Sequence, residues 1–133
     1  MPGVAVDTHS LVWFLLRSPR LSHIALGRMR DTIARGEPLH VPTVCLVELV
    51  YLIEKGRLPL LVQDRIDAHL NDPDSGLELA PLDRNVANAI RRVPRDQVPD
   101  MPDRIIGATA LSLGVPLVTR DGLIKAAGIE TVW

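Results

Sequence analysis

The sequence predicts an α/β fold built on a parallel sheet, and three observations lead there. Short aliphatic runs, such as Val4-Ala5-Val6 and Leu117-Val118, alternate with longer stretches of helical period. The apolar content, 47% of the chain, is aliphatic, with only Trp13, Phe14, Tyr51 and Trp133 aromatic. That composition suits strands buried by helices on both faces. The length of 133 residues is that of one domain, residues 1–133, with a real core.

The elements follow in order. Gly3 to Asp7 reads as a first buried strand, and Thr8 as a cap for a helix His9 to Arg17, stopped by Ser18-Pro19. Ser22 to Arg35 is amphipathic, with Ile24, Leu26, Met29 and Ile33 as its apolar face and Gly36 as its end. Leu39 to Val41 is a second strand, and Pro42-Thr43 opens a helix that ends at Lys55-Gly56. Leu60 to Leu70 makes another amphipathic helix, and Asn71 to Gly76 a loop. Leu77 to Leu82 is a third strand, with Asp83 capping a helix Asn85 to Val93. Pro94 to Pro102, with three prolines, predicts irregular surface chain. Asp103 to Leu113 is an apolar helix ended by Gly114; Pro116 to Thr119, Gly122 to Ala127 and Glu130 to Trp133 read as strand, short helix and last strand.

Composition narrows function. The net charge of −1 gives no global attraction to nucleic acid, although a bound divalent cation and local arginines can supply a positive field. The scarcity of aromatic residues fits poorly with a reader that stacks RNA bases on an aromatic platform. Cys45 is the one cysteine, so there is no disulfide framework and no cysteine zinc site, and a reducing, cytoplasmic location is expected. Apolar runs such as Leu11 to Leu16 are far shorter than the ~20 residues of a membrane span, and no signal peptide is visible. There is no G-x-x-x-x-G-K-[ST], G-x-G-x-x-G or G-x-S-x-G pattern. His9, His23, His40 and His69 lack metal-ligand spacing and read as surface residues; Arg28/Arg30 and Arg91/Arg92 with Arg95 read as solvated helix faces.

Four carboxylates stand out: Asp7 after the first strand, Glu48 inside Val44 to Ile53, Asp103 at a helix start and Asp121 after the fourth strand. Ionising a lone carboxylate beside such apolar runs costs several kcal/mol or a large pKa shift. Gathered together, they make sense as ligands of a divalent cation. Singly, Asp7 and Asp103 also read as helix caps and Asp121 as half of an Asp-Gly turn. Glu48 has apolar helical neighbours at 44, 47, 51 and 52, so its face is expected to be buried. Ligand sites in such sheets lie outside the carboxyl ends of the strands, where Asp7 and Asp121 fall. A right-handed crossover is expected to set Asp103 near the opposite end of the fourth strand, so local topology alone does not unite all four.

Four motifs in order carry a resemblance. Val6 to Trp13, Glu48 to Leu52 with Gly56-Arg57-Leu58, Asp100 to Leu111, and Leu117 to Asp121 resemble the motifs of PIN-domain ribonucleases, in the VapC-like toxin branch of type II toxin–antitoxin pairs. The third motif departs in that Met101 separates Asp100 from Pro102, with a modest effect on loop shape expected. The resemblance implies a three-layer α/β/α sandwich with a central parallel sheet of four or five short strands. It implies one or two Mg²⁺ or Mn²⁺ ions held by Asp7, Glu48, Asp103 and Asp121, with Asp7 and Asp103 foremost, and endonucleolytic hydrolysis of RNA. Thr8, Asp100 and Thr119 would be accessory. A cognate antitoxin over the cleft and a homodimer are the partners implied, the surface around Trp13, Phe14 and Leu16 serving either or simply packing in the core. A phosphoacceptor signalling domain and a catalytically idle PIN-like binding module are the competing readings. The first would want an acidic pair near the first strand and a well-placed lysine, and only Asp7 and Lys125 are on offer.

Overall fold

The computed structural model describes residues 2–133. Five short strands, β1 (Val4–Val6), β2 (Leu39–Pro42), β3 (Leu77–Ala80), β4 (Leu117–Val118) and β5 (Thr131–Val132), form one sheet. All pairings are parallel, and the order is β3-β2-β1-β4-β5. The helices are α1 (Thr8–Leu15), α2 (His23–Ala34), α3 (Thr43–Glu54), α4 (Leu61–Asn71), α5 (Arg84–Ala89), α6 (Met101–Leu113) and α7 (Gly122–Ala126), with a 3₁₀ turn at Ile90–Arg92. This is the α/β sandwich expected, with the fifth strand present.

Successive strand residues point to opposite faces of a sheet. Val4, Ala5 and Val6 are nevertheless all buried, so both faces of β1 are covered. Leu39 and Val41 from β2, Leu117 and Val118 from β4, Leu11 from α1, Met29 from α2, Leu49 from α3, Ile66 from α4 and Ile106 from α6 complete a continuous core. At about 25 cal/mol per Å² of apolar surface, each such buried Leu, Ile or Val contributes roughly 1.5–3 kcal/mol.

Several boundaries differ from the sequence reading, each for a local reason. Asp7, not Thr8, caps α1, its side chain accepting from the Ser10 amide. Asp100, not Asp103, caps α6, so the helix starts at Met101 and absorbs the end of the proline-rich stretch. Pro102 is tolerated there because first-turn amides have no intrahelical partner. The rest of that stretch is irregular but not wholly superficial: Val98 is buried, its amide donating to the Pro94 carbonyl. Arg104 ties the same segment down through Nε to the Val93 carbonyl and a terminal nitrogen to the Ile90 carbonyl. β3 stops at Ala80, since Pro81 has no N–H to pair. The helix after Asp83 splits into α5 and the 3₁₀ turn. On α2, Ile24 points to solvent, while Ala25, Met29 and Thr32 form the buried stripe.

The entry to β1 depends on Gly3, whose φ is +77°. A Cβ there would sit 2.1 Å from the Pro38 carbonyl oxygen, which accepts the Val4 amide at 3.2 Å. Substitution forces the first rung between β1 and the chain entering β2 apart. Gly3→Ala should therefore cost about 1–3 kcal/mol. Urea unfolding should show a lower midpoint with an unchanged slope.

Candidate functional site

The sheet order reverses between β1 and β4: the chain runs outward to β2 and β3, then returns to lay β4 on the other side of β1. In open parallel sheets the crevice for a ligand opens at that point, beyond the carboxyl ends of the strands. The register sets Val6 against Val118. The next residues, Asp7 and Thr119, are therefore neighbours across the crevice.

Their side chains meet. The Thr119 hydroxyl donates to Asp7 Oδ2 at 2.5 Å, while Asp7 Oδ1 accepts the Ser10 amide at 2.9 Å. Thr119 Oγ1 also accepts the Asp121 amide at 3.0 Å, fixing the turn after β4. Asp121 then caps α7, accepting the Leu123 amide at 2.8 Å. Ser10 Oγ donates to the Val118 carbonyl at 3.1 Å, a second tie between α1 and β4.

Asp103 reaches the same edge. The crossover does not set it at the far end of β4, as the sequence led one to expect, for a helix between two parallel strands runs back against them. The start of α6 thus lies at the carboxyl edge and its end at the beginning of β4. Asp103 stands in the first turn of α6, with its amide donated to the Asp100 carboxylate at 3.0 Å. Asp7, Asp103 and Asp121, with His9, Trp13 and Arg120, line one cavity of about 230 Å³.

Glu48 stands outside that lining. Its face is not buried as the apolar neighbours suggested: Val47 and Tyr51 are 52% and 60% exposed, and Glu48 itself is half-buried. The reason is that α3 buries Val44, Cys45 and Leu49 and turns the other flank to solvent. Glu48 is joined to the site through the buried Thr8, whose hydroxyl donates to Glu48 Oε1 at 2.5 Å. Asp100 is exposed and likewise outside the lining.

Electrostatics shows that these acids sense one another. Burial, then the charges of Asp100, Asp121, Glu48 and Asp7, push the Asp103 carboxyl up to about 7. No basic side chain forms an ion pair with them: among the described residues the only ion pair is Arg35–Glu37, just beyond α2. Cys45 donates its thiol weakly to the Val6 carbonyl, and burial holds its pKa far above the ordinary range, so it is inert. Among the described residues, no three His, Cys, Asp or Glu side chains close into a ready ligand group. The donor set suits a hard divalent ion all the same, being oxygen-only, convergent and free of a competing ammonium.

Three lining residues were not assigned to this site from sequence: His9 was read as a surface residue, Trp13 as partner surface or core, and Arg120 had no role. His9 packs against Trp13 with ring centroids 5.6 Å apart. Trp13 is buried and leans on Trp133 at 5.8 Å. The Arg120 guanidinium carbon lies 4.8 Å from the centre of the Trp13 ring. The available signals were the i, i+4 spacing of His9 and Trp13 and the place of Arg120 between Thr119 and Asp121. Lys125 lies on α7 outside the cavity lining, so the lysine a phosphoacceptor site would want is not there.

The chain matches the family model of the PIN domain over residues 4–129 and belongs to that family. It is 27% identical over 126 residues to "Ribonuclease VapC22" of Mycobacterium tuberculosis, covering 95% of this chain and 92% of that protein. Its fold resembles the crystal structure of VapBC2 from Rickettsia felis bound to a DNA fragment from their promoter: TM-score 0.72, 16% identity, 96% of each chain covered. It also resembles FitAcB from Neisseria gonorrhoeae, with a TM-score of 0.60, 19% identity and 96% and 95% coverage. At such identities the two structures speak for the fold.

The raised Asp103 carboxyl has a thermodynamic consequence. Its unfolded value is near 3.8 and its folded value about 7, so between these limits the folded chain binds more protons and stability falls as pH rises. Partial exposure tempers the effect by solvent screening. In the metal-free protein, Asp103→Asn should raise the melting temperature at pH 8 by about 2–5 °C and leave it nearly unchanged at pH 4. Thermal melts of both proteins across that range check this.

Proposed function

We propose that this protein is an endoribonuclease that hydrolyses RNA phosphodiester bonds with one or two Mg²⁺ or Mn²⁺ ions, and that it is the toxin of a pair silenced by a cognate antitoxin. The observation that carries this reading is the cavity at the β1–β4 reversal, lined by Asp7, Asp103 and Asp121 with no neutralising ion pair. Family membership and the relative named as a ribonuclease support RNA as the substrate.

Asp7 and Asp103 would hold the ion, with Asp121 and Glu48 completing its oxygen ligands or orienting water. A cation bound there would neutralise charge on the scissile phosphate and lower the pKa of the attacking water. The rest falls to the chain's own groups. Thr119 and the Ser10 amide fix both oxygens of Asp7, so its orientation is set before anything binds. Thr8 does the same for one oxygen of Glu48. Asp100 holds the α6 amide of Asp103 and so aims the first turn. No Ser, Thr, Cys, Lys or Tyr lines the cavity among the described residues, which favours direct attack by water over a covalent enzyme intermediate.

For the antitoxin, the supporting feature is a larger cavity of about 840 Å³ beside the site, where Trp13, Phe14 and Leu16 meet Arg30, Arg65 and His69. An apolar floor with basic walls suits an amphipathic acidic segment. The fold likeness to VapBC2 fits such a partner. A homodimer remains part of the proposal, with the exposed Val47, Val50 and Tyr51 of α3 as apolar surface for a second copy.

Purified protein should cleave RNA in Mg²⁺ or Mn²⁺ and stop when the ion is chelated. Asp7→Asn keeps the cap, since Asn serves there as well as Asp, and should lower the rate by ~10³-fold, about 4 kcal/mol of barrier. Cleavage that persists unchanged in Asp7→Asn with excess chelator would sink the mechanism. Thr119→Val leaves the carboxylates in place but frees Asp7 to turn, and should cost about 10–100-fold, the usual effect of removing a group that orients a ligand. Melting curves of the same variant should show a smaller rise on adding Mn²⁺ than the wild type shows.

A further inference from the structure

The acidic cavity carries a cationic and aromatic wall that the metal chemistry does not use. We propose that Arg120, held over the Trp13 ring and flanked by His9, is a phosphate clamp that takes an RNA backbone phosphate next to the scissile one. The proposal rests on the ribonuclease reading.

Arg120 is exposed, but its backbone is pinned on both sides. Thr119 before it is buried and bonded to Asp7, and Asp121 after it caps α7. Its guanidinium lies over the Trp13 ring at 4.8 Å, and Trp13 is wedged against Trp133. A planar cation on a buried indole gains from the ring's electron density and loses rotational freedom before any ligand arrives. Its edge, with five N–H donors in a fork, remains available.

Those donors are idle. Among the described residues Arg120 makes no side-chain hydrogen bond and no ion pair, although it lines the same cavity as three carboxylates. The aromatic stack holds the charge beside the acids without letting it collapse onto them. Contrast Arg65, which gives one guanidinium donor to the Leu15 carbonyl, and Arg104, which gives two to the Val93 and Ile90 carbonyls. His9 is likewise exposed, without a side-chain hydrogen bond, and packs on the same ring. It brings a ring N–H to the same mouth.

A polyanion needs such a feature here. The net charge is −1, and the cavity's own carboxylates repel phosphate. Local cations must supply the attraction, and Arg120 is the one guanidinium in the cavity lining. A fork of parallel N–H groups matches two oxygens of one phosphate. An acidic protein segment could use the same fork. The position beside the acid cluster favours phosphate, since one strand can then offer its scissile group to the acids and its neighbour to the clamp.

The test uses the full chain and a fluorescein-labelled mixed-sequence RNA oligonucleotide. In an Asp7→Asn background, which keeps the RNA intact, anisotropy titrations over a range of salt give the slope of log affinity against log salt. Adding Arg120→Ala should weaken binding roughly tenfold and reduce that slope by about 0.7, the loss of one phosphate contact on a single strand. In the otherwise wild-type enzyme the same substitution should raise KM more than it lowers kcat. Arg120→Lys should keep most of the slope but recover only part of the affinity. An unchanged slope and KM in Arg120→Ala overturns the clamp even if the enzyme is active. Loss of binding to an acidic peptide with RNA binding intact overturns it in favour of a protein contact. If the wild type cleaves no RNA, the ribonuclease reading fails, and the salt slope still decides whether Arg120 meets phosphate.

Discussion

The carboxyl edge of this sheet is organised around one carboxylate with both oxygens hydrogen-bonded. Asp7 has one oxygen on the Ser10 amide and the other on the Thr119 hydroxyl. The first contact starts α1, and the second joins β1 to β4 beyond their last paired residues. Because Thr119 Oγ1 also accepts the Asp121 amide, the turn into α7 is set by the same pair. A change at Asp7 would thus be felt at once in a helix start, a strand pairing and a turn. Its neighbours could shift only together.

The same arrangement shows how several acids can share one edge of the sheet. Each is steadied by a partner that favours or tolerates negative charge. Asp7, Asp100 and Asp121 each accept an amide at a helix start, where the backbone dipoles favour an anion, and Glu48 accepts a hydroxyl. Asp103 is the exception. Its carboxylate accepts no hydrogen bond from a described residue, and its pKa is the one pushed up to about 7. Capping and ion binding are therefore compatible uses of one residue. Each carboxylate oxygen carries two lone pairs, so the hydrogen bonds of Asp7 and the cap of Asp121 leave acceptor capacity, and the choice between a plain cap and a functional acid was never exclusive for either.

Much of the fold was legible because it depends on local chemistry. Val4-Ala5-Val6 buried on both faces, Ser22 before α2, Asp83 before α5 and Gly114 in the left-handed conformation after α6 each follow from their own short stretch of sequence. The misreadings share a different cause. Assigning Glu48 to a buried face needed the neighbours of α3, and apolar residues such as Val47 and Tyr51 gave no sign of being exposed. Thr8 competes with Asp7 as a cap on paper, and only the position of Glu48, forty residues on, shows where its hydroxyl goes. The acids themselves were legible one by one, being polar where apolar runs begin or end. Their meeting followed from strand order, which motif resemblance could imply and periodicity could not. His9 was read as a plain surface residue and Arg120 was passed over because nothing in their local sequence separates them from any solvated basic residue.

That last contrast bears on how charge should be read in a chain so nearly neutral. A net charge of −1 averages groups with opposite tasks. Arg65 and Arg104 spend donors on the backbone carbonyls of Leu15, Val93 and Ile90, so they act as structural braces as well as charges. Arg35 pairs with Glu37 and cancels locally. Arg120 is stacked, uncompensated and adjacent to the acids. Opposite charges held apart at one cavity create a field that reverses sign over a few ångströms, and salt screens it little at so short a range. On the reading proposed above, a phosphodiester strand has the matching need: one phosphate would be met through a cation on the acidic side and another directly on the basic side. What the composition reports as near zero is, at the carboxyl edge of the sheet, a separated pair.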